Sequence, residues 1–470
     1  MRGTFHGVDE PNPACPTNQP RLGGPNTTND EYRVFGYYLD LALRSLKRNP
    51  VLTGLMITAI GFGIGTSMTS LSVSRAMSGD PIPGKSQQLF MVQIDSWGPD
   101  QRGERNEDGL DENLSYIDAM ALENLHAARR QSRFYSSYLN ARTADPKLKP
   151  VGMIVPAVDA DFFPMLNAPF EFGGPWSRSD DRDGNPVVVI SRKLNDQFFS
   201  GANSIGKTLT LGGDSYRVVG VLDRWPLVPR FYNLHILPYG QIDEIFIPFT
   251  RAIKGEAPVT SGTSCKDTTD ASFEARLRSE CLWIQLWVEL PSAAEVVKFR
   301  TVLNNYATEQ QQSGRFHWPP HTQIRDAMQW LQYRHIVPNE LGLLVLASFG
   351  FLFVCLMNAM GLMLARIIGR TQDISVRRAL GASRTAIVGQ CLVETTVIGV
   401  LGAILGLLLT VLGVLAMRAA LADDFAALTY LNAQAIGIEA SLAIAVTIAA
   451  GLYPTWRAAH VEPALQLKAE

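Results

Sequence analysis

Long apolar runs recur along this chain, and a polar middle separates the first from the others. Residues 51–73 (VLTGLMITAIGFGIGTSMTSLSV) hold no charged side chain, and neither do residues 341–365 or 395–417. Each run exceeds the ~20 residues needed to cross a hydrocarbon core, so each predicts a transmembrane helix. A fourth, weaker run covers residues 436–454; Glu439 interrupts it, while 440–452 is uncharged. The pattern predicts an α-helical membrane protein with four transmembrane helices and a mixed α+β extracytoplasmic domain between the first and second.

Charge sets the orientation. The link between the second and third runs carries Arg366, Arg370, Arg377, Arg378 and Arg384 against only Asp373 and Glu394. A short loop that basic belongs on the cytoplasmic side. Val376, Leu380, Ile387 and Cys391 form one apolar stripe on a helix, which suits an amphipathic segment at the inner membrane face. Residues 35–49 read the same way: Leu39, Leu43 and Leu46 line one side, and Arg44, Lys47 and Arg48 another. Both termini are then cytoplasmic and residues 74–338 lie outside. The expected divisions are a disordered tail at 1–31, an amphipathic helix and first span at 32–73, the outer domain at 74–338, and a membrane domain with three spans at 339–470. The tail is rich in Pro, Gly, Asn and Thr without an apolar h-region, so it reads as disordered, or as residues upstream of the true start.

The middle alternates short elements. Strands are expected at 89–94, 186–191, 207–211, 216–222, 244–248 and 282–290, the third and fourth joined by a turn at Gly212-Gly213-Asp214. Helices are expected at 115–132, from 192 through 199, and at 293–312, with a short helical turn at 159–166.

The segment DISVRRALGASRTAIVGQCLVE resembles the signature of FtsX/MacB-type ABC transporter permeases, with Asp373 and Ser375 where that family carries Glu and Gly. The Asp161-Phe162-Phe163 turn, VVVIS, IGKTLTLGGDSYRVVGV and the ending GLYPTWRAAHVEPALQLKAE resemble the same family. The resemblance covers most of residues 32–469 and is weakest between 225 and 280. It implies a permease in a bacterial cytoplasmic membrane, itself non-catalytic, working as a homodimer or as a heterodimer with a sister permease. Asp373, Val376, Arg377, Arg378, Ala379, Leu380, Gly381, Ala382 and Ser383 would couple to a separately encoded ABC ATPase. Its closure would pass through the spans to the outer domain, a mechanotransmission that drives export. Efflux pumps of this kind also recruit a periplasmic adaptor and an outer-membrane channel. The division branch of the family implies instead a regulator of a cell-wall hydrolase; an outer domain of roughly 265 residues favours transport. Without the resemblance, the arginines would be read only as topology anchors.

Other features add little chemistry. The balance of 42 basic and 44 acidic residues gives no reason to expect nucleic acid binding. Residues 201–208 (GANSIGKT) match the G-x-x-x-x-G-K-[ST] phosphate loop, but the expected helix before and strand after invert the context that chemistry requires. His317 and His321 stand four apart, yet Pro319 and Pro320 between them break the helix a metal pair would need. No catalytic, cofactor or metal site is expected. Glu394 reads as an interface carboxylate beside the basic segment, with a functional intramembrane carboxylate as the alternative. Gly61/Gly65 and Gly402/Gly406 form G-x-x-x-G pairs that pack helices either within one chain or between copies. Cys265 and Cys281 both fall outside the cytoplasm, where disulfides persist, and no other cysteine is expected on that side. They are expected to bridge, against the alternative of two thiols on separate elements.

Overall fold

The computed structural model describes residues 46–420, apart from 98–107, 144, 146, 226, 235–237, 240–242, 261, 266–271, 337–339, 371–375, 377–380 and 382, together with residues 40, 44, 437, 441 and 445. The expected tail and closing motif fall outside the described residues, as do most of the 35–49 segment and of the fourth span. The described elements begin with α1 (Pro50–Ser78), β1 (Leu89–Ile94), β2 (Leu114–Ser115), α2 (Tyr116–Asn124), β3 (Arg130–Arg142), β4 (Val151–Val158), α3 (Phe162–Met165) and β5 (Phe170–Gly173). There follow α4 (Arg178–Asp183), β6 (Val187–Ile190), α5 (Arg192–Phe199), β7 (Thr208–Leu211), β8 (Asp214–Leu222), β9 (Ile245–Pro248) and α6 (Phe249–Lys254). The chain continues through α7 (Phe273–Arg278), β10 (Leu282–Glu289), α8 (Ala293–Gln312), β11 (Thr322–Asp326), α9 (Ala327–Tyr333), α10 (Glu340–Ile368) and α11 (Arg384–Ala420). Two compact units result, one from residues 1–59, 356–402 and 444–470, the other from 60–355 and 403–443.

Three of the four expected spans are helices long and apolar enough to cross a membrane: Pro50–Arg75, Glu340–Arg366 and Thr385–Ala416. In the larger unit the glycines of α1 and α11 mesh with each other's side chains. A Cβ on Gly61 would meet Leu405, one on Gly65 would meet Leu409, and one on Gly406 would meet Ile64, all within 3 Å. The G-x-x-x-G pair at 61 and 65 therefore packs helices inside one chain, which small residues permit by letting backbones approach. On another side of α1, Ser67 Oγ donates to the Ser348 carbonyl of α10 at 2.9 Å.

The mixed α/β domain is built on one sheet ordered β11-β1-β10-β3-β4-β9-β6-β8-β5, with β2 on β10 and β7 pairing both β3 and β8. Most neighbours are antiparallel; β4/β9 and β6/β8 are parallel. Side chains alternate across a strand, and here both faces are covered. Phe90, Val92 and Ile94 of β1 join one core with Ile284, Leu286 and Val288 of β10. Leu89, Met91 and Trp287 face the opposite core, with Phe134, Phe163 and Trp330. Strands buried on both faces read as continuous apolar runs, which is why VVVI at β6 was legible.

The helix expected over 115–132 is shorter. Ser115 caps it, its Oγ accepting from Asp118 N at 3.1 Å, but α2 ends at Asn124, and His126 takes a left-handed φ of 46°. From Arg130 onward the chain pairs with β10, Arg130 opposite Glu289 and Phe134 opposite Gln285. Sheet pairing and the Arg130–Glu289 ion pair at 2.9 Å override the helical spacing there.

Candidate coupling site

The two helices that flank the coupling segment are joined by charge within the smaller unit. Arg366, in the last turns of α10, places Nη2 3.0 Å from Glu394 Oε1 of α11. Arg370, two residues beyond α10, places Nη1 3.6 Å from the other carboxylate oxygen. Arg366 Nη1 also lies 3.3 Å from Thr53 Oγ1 of α1, and that hydroxyl in turn lies 3.3 Å from the Leu46 carbonyl oxygen. Three apolar helices thus meet around one ion pair whose side chains are 3% and 13% exposed. A buried pair of this kind resists separation, because removing either partner strands a charge. Beside it, Thr395 Oγ1 contacts Met363 Sδ at 3.2 Å. Glu394 accordingly lies against Arg366 and Arg370, two of the basic residues of the link.

Of the coupling residues, Val376, Gly381 and Ser383 are described; Asp373, Arg377, Arg378, Ala379, Leu380 and Ala382 lie outside the described residues. Val376 is helical and exposed. Gly381 holds φ at +97°, a region that side-chain-bearing residues rarely enter. Ser383 then begins α11: its Oγ accepts from Ala386 N at 3.2 Å, the N-cap geometry that satisfies an otherwise partnerless helix amide. Gly381 and Ser383 therefore fix where the segment stops and α11 starts. Thr53 was not singled out from sequence, because a threonine in an apolar run gives no sign of a partner more than three hundred residues away.

Elsewhere the structure places the remaining motifs on ordinary architecture. Residues 201–208 join α5 to β7, so helix precedes and strand follows. The loop amides are engaged internally, Gly206 N donating to Val218 O and Lys207 N to Ser204 O, both at 2.9 Å. Lys207 Nζ lies 5.2 Å from the Phe199 ring centre, a cation resting on an aromatic face. His317 and His321 sit in the irregular segment between α8 and β11. No group of three or more potential metal ligands occurs among the described residues. Cys265 and Cys281 are joined by a disulfide, with Cα atoms 4.3 Å apart. The backbone beside it forms a two-bond bridge, Ser264 N to Leu282 O at 2.9 Å and Leu282 N to Ser264 O at 2.8 Å.

Comparison with known proteins places this arrangement among membrane transport machines. A family model described as the MacB-like periplasmic core domain matches residues 53–305, and one described as the FtsX-like permease C-terminal matches residues 345–463. The macrolide export ATP-binding/permease protein MacB of Marinobacter nauticus is 23% identical over 446 residues, covering 92% of this chain and 60% of that protein. The uncharacterized ABC transporter permease YknZ of Bacillus subtilis is 21% identical over 448 residues, covering 92% of this chain and 98% of that one. The chain spans 46–60% of the length of the first three MacB relatives it matches. Among solved structures, the periplasmic region of MacB from Actinobacillus actinomycetemcomitans superposes with a TM-score of 0.34 at 14% identity, covering 53% of this chain and 93% of that one.

Proposed function

The chain belongs to the MacB/FtsX family of ABC transporter permeases, and from that premise we propose that it is the permease subunit of an export system driven by a separately encoded ATPase. In this reading it lies in a bacterial inner membrane as four spans, with both termini inside and the α/β domain, residues 74–338, outside. Asp373 and residues 376–383 receive the ATPase on the cytoplasmic face. Two copies, or this chain with a sister permease, share the ATPase dimer, and a periplasmic adaptor with an outer-membrane channel completes the route for substrate. ATP drives such a cycle only if nucleotide-bound and nucleotide-free states favour different permease conformations.

The observation that carries this reading is the tie of Glu394 to Arg366 and Arg370. A push on the segment between them is delivered to α10 and α11 together instead of being absorbed by a slack loop. The test is the double reversal Arg377→Glu/Arg378→Glu in the complex copurified with its ATPase. Permease-stimulated ATP hydrolysis should be abolished while membrane insertion stays intact. Unchanged hydrolysis in that variant would remove the assignment of the coupling segment.

A further inference from the structure

Within the larger unit, one hydroxyl meets the main chain at two points that matter for any movement of the spans. Tyr239 is buried at 6% exposure, and its Oη lies 3.1 Å from the Met77 carbonyl oxygen and 3.0 Å from the Ile336 carbonyl oxygen. Met77 belongs to the last turn of α1, where carbonyls have no partner along the helix. Ile336 closes the turn after α9, its own amide donating to Leu331 O at 3.1 Å, and α10 begins four residues later at Glu340. The two acceptors therefore mark the exit from the first span and the approach to the second. A phenol carries one donor proton, so both carbonyls must stay converged on it for the contact to be shared.

Behind Tyr239 the chain is fastened to the sheet. Arg230 N donates to the Pro238 carbonyl at 2.7 Å. The Arg230 guanidinium pairs with Asp243 at 3.1 Å, both side chains only 4% exposed, and Tyr232 Oη donates to the second Asp243 oxygen at 2.9 Å. Asn233 Nδ2 donates to Ser136 Oγ of β3 at 3.3 Å, and the Tyr232 ring packs edge-on against Phe134 of the same strand. A strap anchored on the central sheet thus ends in a hydroxyl that holds both span junctions. The covalent route out of α1 runs through residues 79–85, which form bends and turns and are also seated on the domain, with Ile82 in its core and Lys85 Nζ 2.5 Å from the Pro164 carbonyl oxygen. The Tyr239 hydroxyl adds a second tie, and of the two it is the one that reaches the approach to α10 as well.

We propose that Tyr239 is a positioning residue that couples the first two spans to the α/β domain, so that displacement of the spans moves the sheet and is not lost at the junctions. This rests on the mechanotransmission reading above. The experiment is hydrogen–deuterium exchange on the full complex with its ATPase in nanodiscs, with and without ATP plus vanadate. In the unaltered complex nucleotide should change exchange in residues 227–239 and in β3. In Tyr239→Phe that domain response should shrink about threefold or more, the scale set by one lost hydrogen bond, while ATP hydrolysis and the response of residues 366–394 persist. Installing p-fluorophenylalanine, which fills the hydroxyl's space without a donor, should reproduce the loss, so a void left by Phe cannot explain it. Installing p-aminophenylalanine, which restores N–H donors, should recover the response. A full domain response in the Phe and p-fluoro variants overturns the role of Tyr239 alone. No domain response in the unaltered complex overturns mechanotransmission and this inference with it.

Discussion

Glu394 reaches Arg366 across 3.0 Å, so the N-terminal part of α11 is ionically locked to the end of α10. Removing one partner strands the other charge in a largely buried site. Glu394→Gln should therefore destabilise the protein by about 3 kcal/mol or more, and Arg366→Met by a similar amount. The double variant Glu394→Leu/Arg366→Met should be less destabilised than the sum of the two singles. Thermal unfolding in detergent, arranged as a double-mutant cycle, measures this; additive losses would show that the pair does not interact.

The end of the proposed coupling segment depends on one backbone conformation. Gly381 sits at φ +97° with open space around its Cβ position, so the strain of a side chain there is conformational and not a clash. Gly381→Ala should cost about 1 kcal/mol locally and should lower permease-stimulated ATP hydrolysis, while Ser383→Ala removes the helix cap for a similar cost of about 1 kcal/mol. ATPase assays on the two variants, at equal expression, provide the check.

What the chain disclosed before folding follows from which forces act locally. The spans were legible because uncharged runs have one stable environment, and β6, β8 and β10 because their apolar residues alternate or run continuously. The β3/β4 pair was not: β3 reads RQSRFYSSYLNAR, and its Arg133, Ser136 and Ser137 are buried polar residues. Arg133 is satisfied by Asp159 at 2.6 Å and Ser136 Oγ by Asn233 Nδ2 at 3.3 Å, partners distant in sequence, and such pairing leaves no periodic trace. The coupling residues came from a family resemblance, whereas Thr53 and Tyr239 came only from three-dimensional contact.

Glycine packing between α1 and α11 makes an ordered set of expectations. A Cβ on Gly406 would lie 2.7 Å from Ile64 Cγ2 and 2.8 Å from its Cβ, and a β-branched chain cannot swing away. A Cβ on Gly61 would meet Leu405 along its side chain, Cδ2 at 2.8 Å, Cγ at 2.9 Å and Cβ at 3.1 Å, and a rotamer change relieves the two closest of these. Gly406→Ala should thus cost about 1–3 kcal/mol and Gly61→Ala less. Gly54→Ala, with nothing within 4 Å, should be neutral. The rank order in thermal melts is the result to look for.

Stability of the α/β domain should depend on pH through Asp181. Trp176 Nε1 donates to its Oδ1 at 2.7 Å and the Ala160 amide donates to its other oxygen. Burial, reinforced by the neighbouring Asp159 carboxylate, pushes its pKa up to about 7, against the opposing pull of Arg133. A carboxyl raised in the folded state holds a proton that the unfolded chain has released. Its contribution is therefore present below about pH 4 and is lost as pH rises through about 7. The melting temperature should fall between pH 5 and pH 8 more steeply in the unaltered protein than in Asp181→Asn, which is neutral throughout. Equal slopes would show that Asp181 titrates normally.

The Cys265–Cys281 bond is expected to carry stability, for a reason visible in its surroundings. It closes a segment that returns to the sheet at the Ser264–Leu282 bridge, just where β10 begins, and β10 pairs with both β1 and β3. Apart from the bond, α7 is held by Phe273, whose ring lies 6.0 Å from that of Trp283. Glu280, next to Cys281, is held separately by Arg315 at 2.8 Å. A closed loop of about 15 residues contributes roughly 3 kcal/mol on the chain-entropy account. Cys265→Ser/Cys281→Ser should lose stability of that order and should melt earlier whether or not reductant is present. The unaltered protein should melt earlier only after reduction. Maleimide added to the unreduced, unfolded chain should modify Cys15, Cys355 and Cys391 and spare the pair. Labelling of all five positions would mean that the cysteines meet reducing conditions, which would count against placing the α/β domain outside the cytoplasm.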